Sequence, residues 1–176
     1  MAVDQTMPGR LAQWISAAEP DWDAVYAEQL PRVYNFFRYR FGDTADAEDL
    51  TARTFEKAWR ARQRYRRDLA SFGTWIMSIA RNVGTDHLRA RRPHVPLEEA
   101  ATVAMSRTPE DEASRTSDVQ RLAMLLEGLT DRDRELIALK YGAGLTNRAI
   151  AQATGLSESN VGTILYRAVQ ALRARW

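Results

Sequence analysis

Apolar residues recur along most of this chain at intervals of three and four, which is the spacing of one face of an α-helix. In the first such segment, residues 22–41, the apolar positions are Tyr26, Leu30, Val33, Phe37 and Phe41. The pattern predicts one long helix, with Pro31 as the point where it would kink. No stretch alternates apolar and polar residues as a half-buried strand would, so the sequence predicts an all-α fold.

Two further helices are predicted before the periodicity breaks. The first follows Gly42, with Asp43 or Thr44 as its N-cap, and runs to about Arg62. The second ends near Arg92, and its packing positions are Phe72, Trp75, Ile76, Ile79, Val83 and Leu88.

Residues 93–117 interrupt this pattern with Pro93, Pro96 and Pro109 and with clustered acidic residues. Arg and Lys outnumber Asp and Glu on both sides of the segment, whereas acidic residues prevail within it. The sequence therefore predicts a flexible linker that joins two small helical domains, residues 21–92 and 118–176. Residues 1–20 form an N-terminal extension to which the sequence assigns no role.

The predicted second domain begins with a helix capped by Ser117 that runs to about Glu127. Thr130 is predicted to cap the next helix, which extends through Tyr141 to the glycines that follow it. The domain closes the chain with two more helical segments.

Residues 146–167 have the spacing of a helix-turn-helix. Ala151 stands where two helices would cross closely, and Gly155 can adopt the positive φ of a tight interhelical turn. The inward face of the second helix would carry Val161, Ile164, Leu165 and Ala168. Its outward face carries side chains that can contact base edges and phosphates, namely Ser159, Asn160, Thr163, Tyr166 and Arg167. An ordinary helical hairpin is the alternative interpretation of this segment.

Two other polar groupings are candidate sites. On the second helix, one charged stripe opposite the packing face comprises Asp46, Asp49, Arg53 and Glu56. The loop that follows has several arginines around Tyr65, and the third helix then offers Arg81, Asn82, Asp86 and Arg89. Cations beside an aromatic ring suit single-stranded DNA. A solvated helix face and a basic surface loop are the respective alternatives.

Composition narrows the function further. The chain of 176 residues contains no cysteine and only two histidines, so we predict no disulfide, thiol chemistry or metal site. No nucleophile, glycine-rich phosphate loop or histidine cluster indicates an enzyme or a cofactor. No apolar run approaches the roughly 20 residues of a membrane span, so we expect a cytoplasmic protein with no membrane insertion. All cations except Lys57 and Lys140 are arginine, which suits contacts with phosphate and guanine. A GC-rich genome is the alternative explanation of this excess.

The order of these parts resembles the ECF-type (group 4) sigma factors of bacterial RNA polymerase, which belong to the sigma-70 family. The resemblance covers about residues 21–175. The segment DAEDLTARTFEKAW resembles region 2.2, and ASFGTWIMSIARNVGTDHLR resembles regions 2.3 and 2.4. The segment from LLEGLTDRDRELI to RAVQALR, which contains the helix-turn-helix, resembles region 4.

This resemblance implies a promoter-specificity subunit that binds core RNA polymerase through its β′ clamp and β subunit, and leaves an anti-sigma protein open as a further partner. The implied polymerase-contacting residues are Asp46, Asp49, Leu50 and Arg53. The resemblance also implies that residues 64–71 capture a base flipped out of the minus-10 element. The implied minus-10 DNA-contacting residues are Arg66, Arg67, Asn82, Asp86 and Arg89. The implied minus-35 DNA-contacting residues are Lys140, Ser159, Asn160, Thr163, Tyr166 and Arg167.

The chain departs from the family pattern at several positions. Ala52 and Arg53 stand where the family tends to have Gln-Glu, and Gly162 and Ile164 stand where basic residues are frequent. Phosphate anchoring then depends on Arg167 and the arginines that follow it. The alternative function is a stand-alone helix-turn-helix regulator with a sensing or dimerising domain, although no heptad seam for a dimer is evident.

Overall fold

The computed structural model of the chain describes residues 21–91 and 116–176, with side chains in the second range described from residue 120 onward. These two ranges contain helices, turns and loops and no β-strand, as the sequence predicts. The N-terminal helices are α1 (Trp22–Phe41), α2 (Thr44–Ala61) and α3 (Phe72–Arg91). The C-terminal helices are α4 (Thr116–Glu127), α5 (Asp131–Ile137), α6 (Asn147–Thr154) and α7 (Glu158–Arg173).

Local capping sets the ends of the N-terminal helices. The Asp21 carboxylate accepts hydrogen bonds from the backbone N–H groups of Asp23 and Ala24, and Asp43 caps α2 by accepting from that of Asp46. Gly42 ends α1 with a φ of 77°, a conformation that an L side chain rarely adopts. The predicted bounds of these helices are therefore correct to within one residue.

The predicted cap of α4 is wrong. Ser117 lies inside the first turn, because the helix already begins at Thr116. Thr130 does cap α5, accepting a hydrogen bond from the backbone N–H of Asp133. The helix predicted to run on to Tyr141 changes at residue 138 into a turn of π-helix, Ala138–Gly142, in which the Ala143 N–H donates to the Ala138 carbonyl at 2.9 Å.

The N-terminal helices enclose a core of large apolar side chains. Phe36 and Phe37 of α1, Leu50 of α2, and Ile76 and Met77 of α3 are fully buried. In the C-terminal part of the chain, the fully buried core side chains include Leu136, Leu139, Ile150 and Val161. Phe37, Ile76 and Val161 are among the apolar positions whose spacing predicted their helices.

The two groups of helices pack together into one continuous core, which the sequence does not predict. The π turn lies directly on α1: a Cβ atom added at Gly142 would stand 2.8 Å from the backbone oxygen of Asn35. Beside this contact the Arg32 Nε donates a hydrogen bond of 2.8 Å to the Ala143 carbonyl. Only a residue without a side chain allows the two backbones to approach so closely.

A buried ionic cluster joins the same two groups of helices. The Glu135 carboxylate on α5 accepts hydrogen bonds from Arg40 of α1 at 2.7 Å and from Arg81 of α3 at 3.1 Å. Arg81 also donates to the Ala153 carbonyl at the end of α6. Burial lowers the pKa of the Arg40 guanidinium, and the adjacent Glu135 carboxylate opposes that change. Removing one partner of such a cluster costs about 3–5 kcal/mol, because it leaves a buried charge uncompensated.

We predict that Gly142→Ala separates the N-terminal helices from the C-terminal helices. The added methyl group would overlap the α1 backbone, a steric conflict that costs about 1–3 kcal/mol when a packed contact must shift. Small-angle X-ray scattering of the free protein should show a larger radius of gyration. Gly162→Ala is the matched control, because its Cβ would meet the Asn147 Nδ2 at an ordinary 3.7 Å. An unchanged radius in Gly142→Ala would contradict the prediction.

Candidate nucleic-acid interface

The outward face of α7 is the clearest candidate for contact with duplex DNA. All five predicted contact residues of this helix are exposed, namely Ser159, Asn160, Thr163, Tyr166 and Arg167. All four predicted packing residues are buried, namely Val161, Ile164, Leu165 and Ala168. Gly155, with a φ of 75°, makes the turn between α6 and α7. The sequence thus correctly divides this helix into its two faces.

Hydrogen bonds hold the first turns of α7 in place. The Ser157 hydroxyl accepts from the Asn160 backbone N–H at 3.2 Å, which caps the helix. The Thr163 hydroxyl donates to the Ser159 carbonyl at 3.1 Å and keeps its oxygen as an acceptor. Lys140, the sixth residue predicted to contact the minus-35 element, does not lie on α7. It belongs to the π turn, where its side chain is half-buried.

The basic loop before α3 is ordered around an aromatic cluster. The Tyr65 ring packs against Phe72 and Trp75 with ring centroids 5.3 and 5.2 Å apart. The ring is therefore half-buried, and contacts with α3 fix its position. Arg66 donates a bidentate pair of hydrogen bonds to the Asp68 carboxylate, from Nε at 2.9 Å and from Nη2 at 2.7 Å. This hydrogen bonding lowers the pKa of the Asp68 carboxyl.

The predicted minus-10 residues of α3 share one helical face. Asn82, Asp86 and Arg89 are exposed and follow one another at steps of four and three. Asp86 pairs with Lys57 of α2 at 3.3 Å, whereas Arg81 is turned toward Glu135. Asn82 stands about 15 Å along the helix from the end that joins the basic loop. The loop and the face of Asn82 thus form the two ends of one candidate surface.

The charged stripe on α2 is exposed only in part. Asp49 and Arg53 form an exposed ion pair at 2.9 Å. Asp46 is half-buried and binds Arg91 of α3 at 2.8 Å, so it links two helices. Leu50 is fully buried in the core. The prediction that Leu50 belongs to the contacting face is therefore corrected, because its side chain is not available to a partner in this structure.

Metal sites and membrane-spanning helices are absent from the part of the chain that the structure describes. Residues 21–91 and 116–176 contain no group of three or more His, Cys, Asp or Glu side chains that could hold a metal ion. No helix within these ranges is long and apolar enough to cross a membrane.

Comparison with known proteins identifies the two groups of helices. Residues 25–94 match the model of Sigma-70 region 2, and residues 119–172 match that of Sigma-70 region 4. The RNA polymerase sigma factor CarQ of Myxococcus xanthus is 31% identical over 159 residues, which cover 89% of this chain and 89% of CarQ. These matches define the class: the chain belongs to the sigma-70 family.

Within this family the chain belongs to the ECF sigma factors. The ECF RNA polymerase sigma factor BldN of Streptomyces coelicolor is 30% identical over 166 residues, covering 92% of this chain but only 63% of the length of BldN. The fold is shared with the sigma factor RpoE of Bartonella quintana, solved in complex with the anti-sigma factor NepR. That structure superposes with a TM-score of 0.69 at 22% identity, covering 88% of this chain and 96% of RpoE.

We predict that Leu50→Ala and Asp49→Ala, neighbours on α2, have very different effects on stability. The first leaves a cavity in the core and should lower the free energy of unfolding by about 2–5 kcal/mol. The second removes one exposed ion pair and should change it by less than about 1 kcal/mol. Urea unfolding followed by circular dichroism measures both. Equal stability of the two variants would contradict the burial of Leu50.

Proposed function

We propose that this chain binds core RNA polymerase and directs it to promoters, with α7 reading the minus-35 element and the N-terminal helices opening DNA at the minus-10 element. The observation that carries the proposal is the match of one chain to both sigma-70 regions, in order, with exposed polar faces on each. The chain acts in the cytoplasm and makes no covalent change in the DNA. The stand-alone regulator is not favoured, because the N-terminal helices match region 2.

At the minus-35 element, α7 lies in the major groove. Asn160 and Thr163 are short and polar, so they discriminate between bases through their amide and hydroxyl groups. Arg167 holds a phosphate, and Tyr166, at 66% exposure, packs on a thymine methyl group or reaches the backbone. Ser159 contacts the DNA beside Asn160. Lys140 adds a phosphate contact from the π turn.

At the minus-10 element, the N-terminal helices bind unpaired DNA. Asn82 reads a flipped base, while Arg66, Arg67 and Arg89 bind the phosphates of the displaced strand. Asp86 balances the charge of this face through its pair with Lys57. Binding energy gained by the open strand offsets the cost of unpairing, which is a few kcal/mol for each base.

The polymerase contact lies on α2. Asp49 and Arg53 are exposed and present a charged face to the β′ clamp, and Asp46 supports that face from its contact with Arg91. The β subunit of the polymerase is the proposed second contact of the chain. Because Leu50 is buried, the recognition depends on charge and hydrogen bonding.

Promoter binding requires the two groups of helices to separate. The minus-10 and minus-35 elements lie about 25 base pairs apart, or roughly 85 Å of duplex at 3.4 Å per pair. In this structure Arg81, next to Asn82, is hydrogen-bonded to Ala153, which precedes Asn160 by a few residues. The two candidate surfaces are thus within roughly 50 Å of each other. Core polymerase must bind the open form more tightly to shift this equilibrium.

The test of the proposal is whether promoter recognition depends on polymerase and on Asp49. Core polymerase with the wild-type chain should initiate from defined sites, and Asp49→Arg should lower co-elution with core polymerase at least tenfold while helix content is unchanged. Asp23→Arg, an equal charge change on an exposed residue of α1, should co-elute normally. Tight sequence-specific DNA binding by a dimer without polymerase would instead support the stand-alone regulator.

A second prediction separates base reading from phosphate anchoring on α7. Asn160→Ala and Thr163→Ala should change which minus-35 sequences are preferred, at about 1–3 kcal/mol for each lost contact. Arg167→Ala should weaken all promoters alike and lower the salt slope by roughly one unit. A randomised minus-35 library transcribed at two salt concentrations measures both effects. Uniform losses in the first two variants, with altered preference in the third, would reverse the proposed roles.

A further inference from the structure

A cavity of about 290 Å³ opens between the N-terminal and the C-terminal groups of helices. The second half of α1 forms one wall, and α4 with part of α5 forms the other. Its volume lies near the lower end of the roughly 300–1,000 Å³ of known small-molecule sites. The apolar part of the walls comprises Tyr34, Tyr39 and Phe41 on one side and Leu122 and Leu126 on the other. The cavity therefore suits one small ligand with an apolar body.

Arginines give the lining of this cavity a positive charge. Arg38, Arg40 and Arg134 all belong to it. Arg40 pairs with Glu135 at 2.7 Å, whereas Arg38 and Arg134 form no ion pair in the part of the chain that the structure describes. The lining has one acidic residue, Glu127, whose side chain is exposed to solvent. The balance of charge therefore favours an anionic ligand.

The hydrogen bonding of these arginines is fixed but incomplete. Arg38 Nη1 donates to the Gly42 carbonyl at 2.6 Å, and Arg134 Nη2 donates to the Glu127 carbonyl at 2.7 Å, so both side chains are held in position. The buried Nε–H groups of Arg40 and Arg134 have no acceptor among the described residues. A buried donor without an acceptor is destabilising. An acceptor that enters between these side chains would complete their hydrogen bonding.

Among anions, a carboxylate with an aromatic body matches both features of the cavity. A carboxylate forms charge-assisted hydrogen bonds with the planar guanidinium group. An aromatic ring packs well against the rings of Tyr34, Tyr39 and Phe41 in edge-to-face or offset arrangements. A small inorganic anion would leave these apolar walls uncovered.

We propose that this cavity binds a small aromatic carboxylate, whose anion pairs with Arg38 and Arg134 while its ring packs between the two walls. The ligand contacts both groups of helices, so it binds their packed arrangement and shifts the population toward it. The site itself goes beyond the proposed function. Its consequence, that the ligand opposes association with core polymerase, rests on that function.

The first experiment titrates the free chain with phenylacetate, phenylacetamide and acetate, followed by ligand-observed NMR. Phenylacetate should bind with a Kd on the order of 0.1–1 mM, as a ligand of this size can reach. Phenylacetamide has the same shape without the charge, and acetate has the charge without the ring. Each should bind at least tenfold more weakly than phenylacetate. Equal affinity for phenylacetate and phenylacetamide would overturn the proposed site.

Two variants test whether binding occurs in this cavity. Leu122→Trp fills the cavity and should abolish binding of phenylacetate. Met124→Trp is the matched control, because Met124 lies on the same helix, is 54% exposed and does not line the cavity. Arg38→Gln should lower the affinity for phenylacetate at least tenfold and leave that for phenylacetamide unchanged. Circular dichroism and small-angle X-ray scattering establish that each variant keeps its fold and its packing. Full affinity for phenylacetate in Arg38→Gln, or in a folded Leu122→Trp, would overturn the site.

A last measurement links the site to polymerase. Saturating phenylacetate should lower co-elution of the wild-type chain with core polymerase, and Leu122→Trp should not respond to it. Unchanged co-elution of the wild-type chain would overturn the proposed consequence of binding. Failure of the ligand-free chain to co-elute with core polymerase would instead overturn the proposed function, and the binding site would still stand on the titrations of the free chain.

Discussion

A single buried carboxylate governs how the two halves of this molecule meet. The Glu135 carboxylate pairs with two arginines from different N-terminal helices, Arg40 of α1 and Arg81 of α3. The close approach of the π turn to α1 at Gly142 provides the geometry for this contact. Because a buried ion pair is costly to break one side at a time, the interface is held in one arrangement or released as a unit. Intermediate, partly opened arrangements are disfavoured by the uncompensated charge.

This arrangement explains the distribution of polar residues over the surface. The interface uses Arg32, Arg40 and Arg81 from the N-terminal helices, while Asn82 and Arg89 of α3 remain exposed. On α7, the face opposite the core is likewise exposed. This packing therefore leaves the side chains proposed to contact DNA exposed, and it fixes the distance between the two surfaces. Under the proposed function, closure would affect promoter binding mainly through the spacing between the two surfaces.

Much of the fold could be predicted because its signals are local. Asp43, Thr130 and Ser157 cap their helices through bonds to residues three positions away, and Gly155 determines its turn through its own backbone. Each of these caps and turns depends only on residues that lie within about one helical turn of each other in the sequence. The two faces of α7 were predictable for the same reason, since 3.6-residue periodicity separates them.

The remaining features arise from contacts between distant positions. Arg40 and Glu135 are 95 residues apart, and helical spacing alone does not show that charges on two different helices meet in a core. The contact role of Leu50 was implied by the family resemblance and not by the spacing on α2, and a resemblance between sequences does not show whether a side chain is buried. The packing of Tyr65 was not predicted because its partners, Phe72 and Trp75, belong to the following helix.

The π turn against α1 also gives the molecule a dependence on temperature. Ala138 and Leu139 are fully buried where this turn meets the rest of the core, so separating the halves exposes apolar surface along with the ionic cluster. Exposure of apolar surface raises the heat capacity, and the free energy that favours closure is therefore curved in temperature. On cooling, the apolar part of the attraction weakens. The separation of the halves proposed above would therefore depend on temperature through this same turn, without any change in sequence or partner.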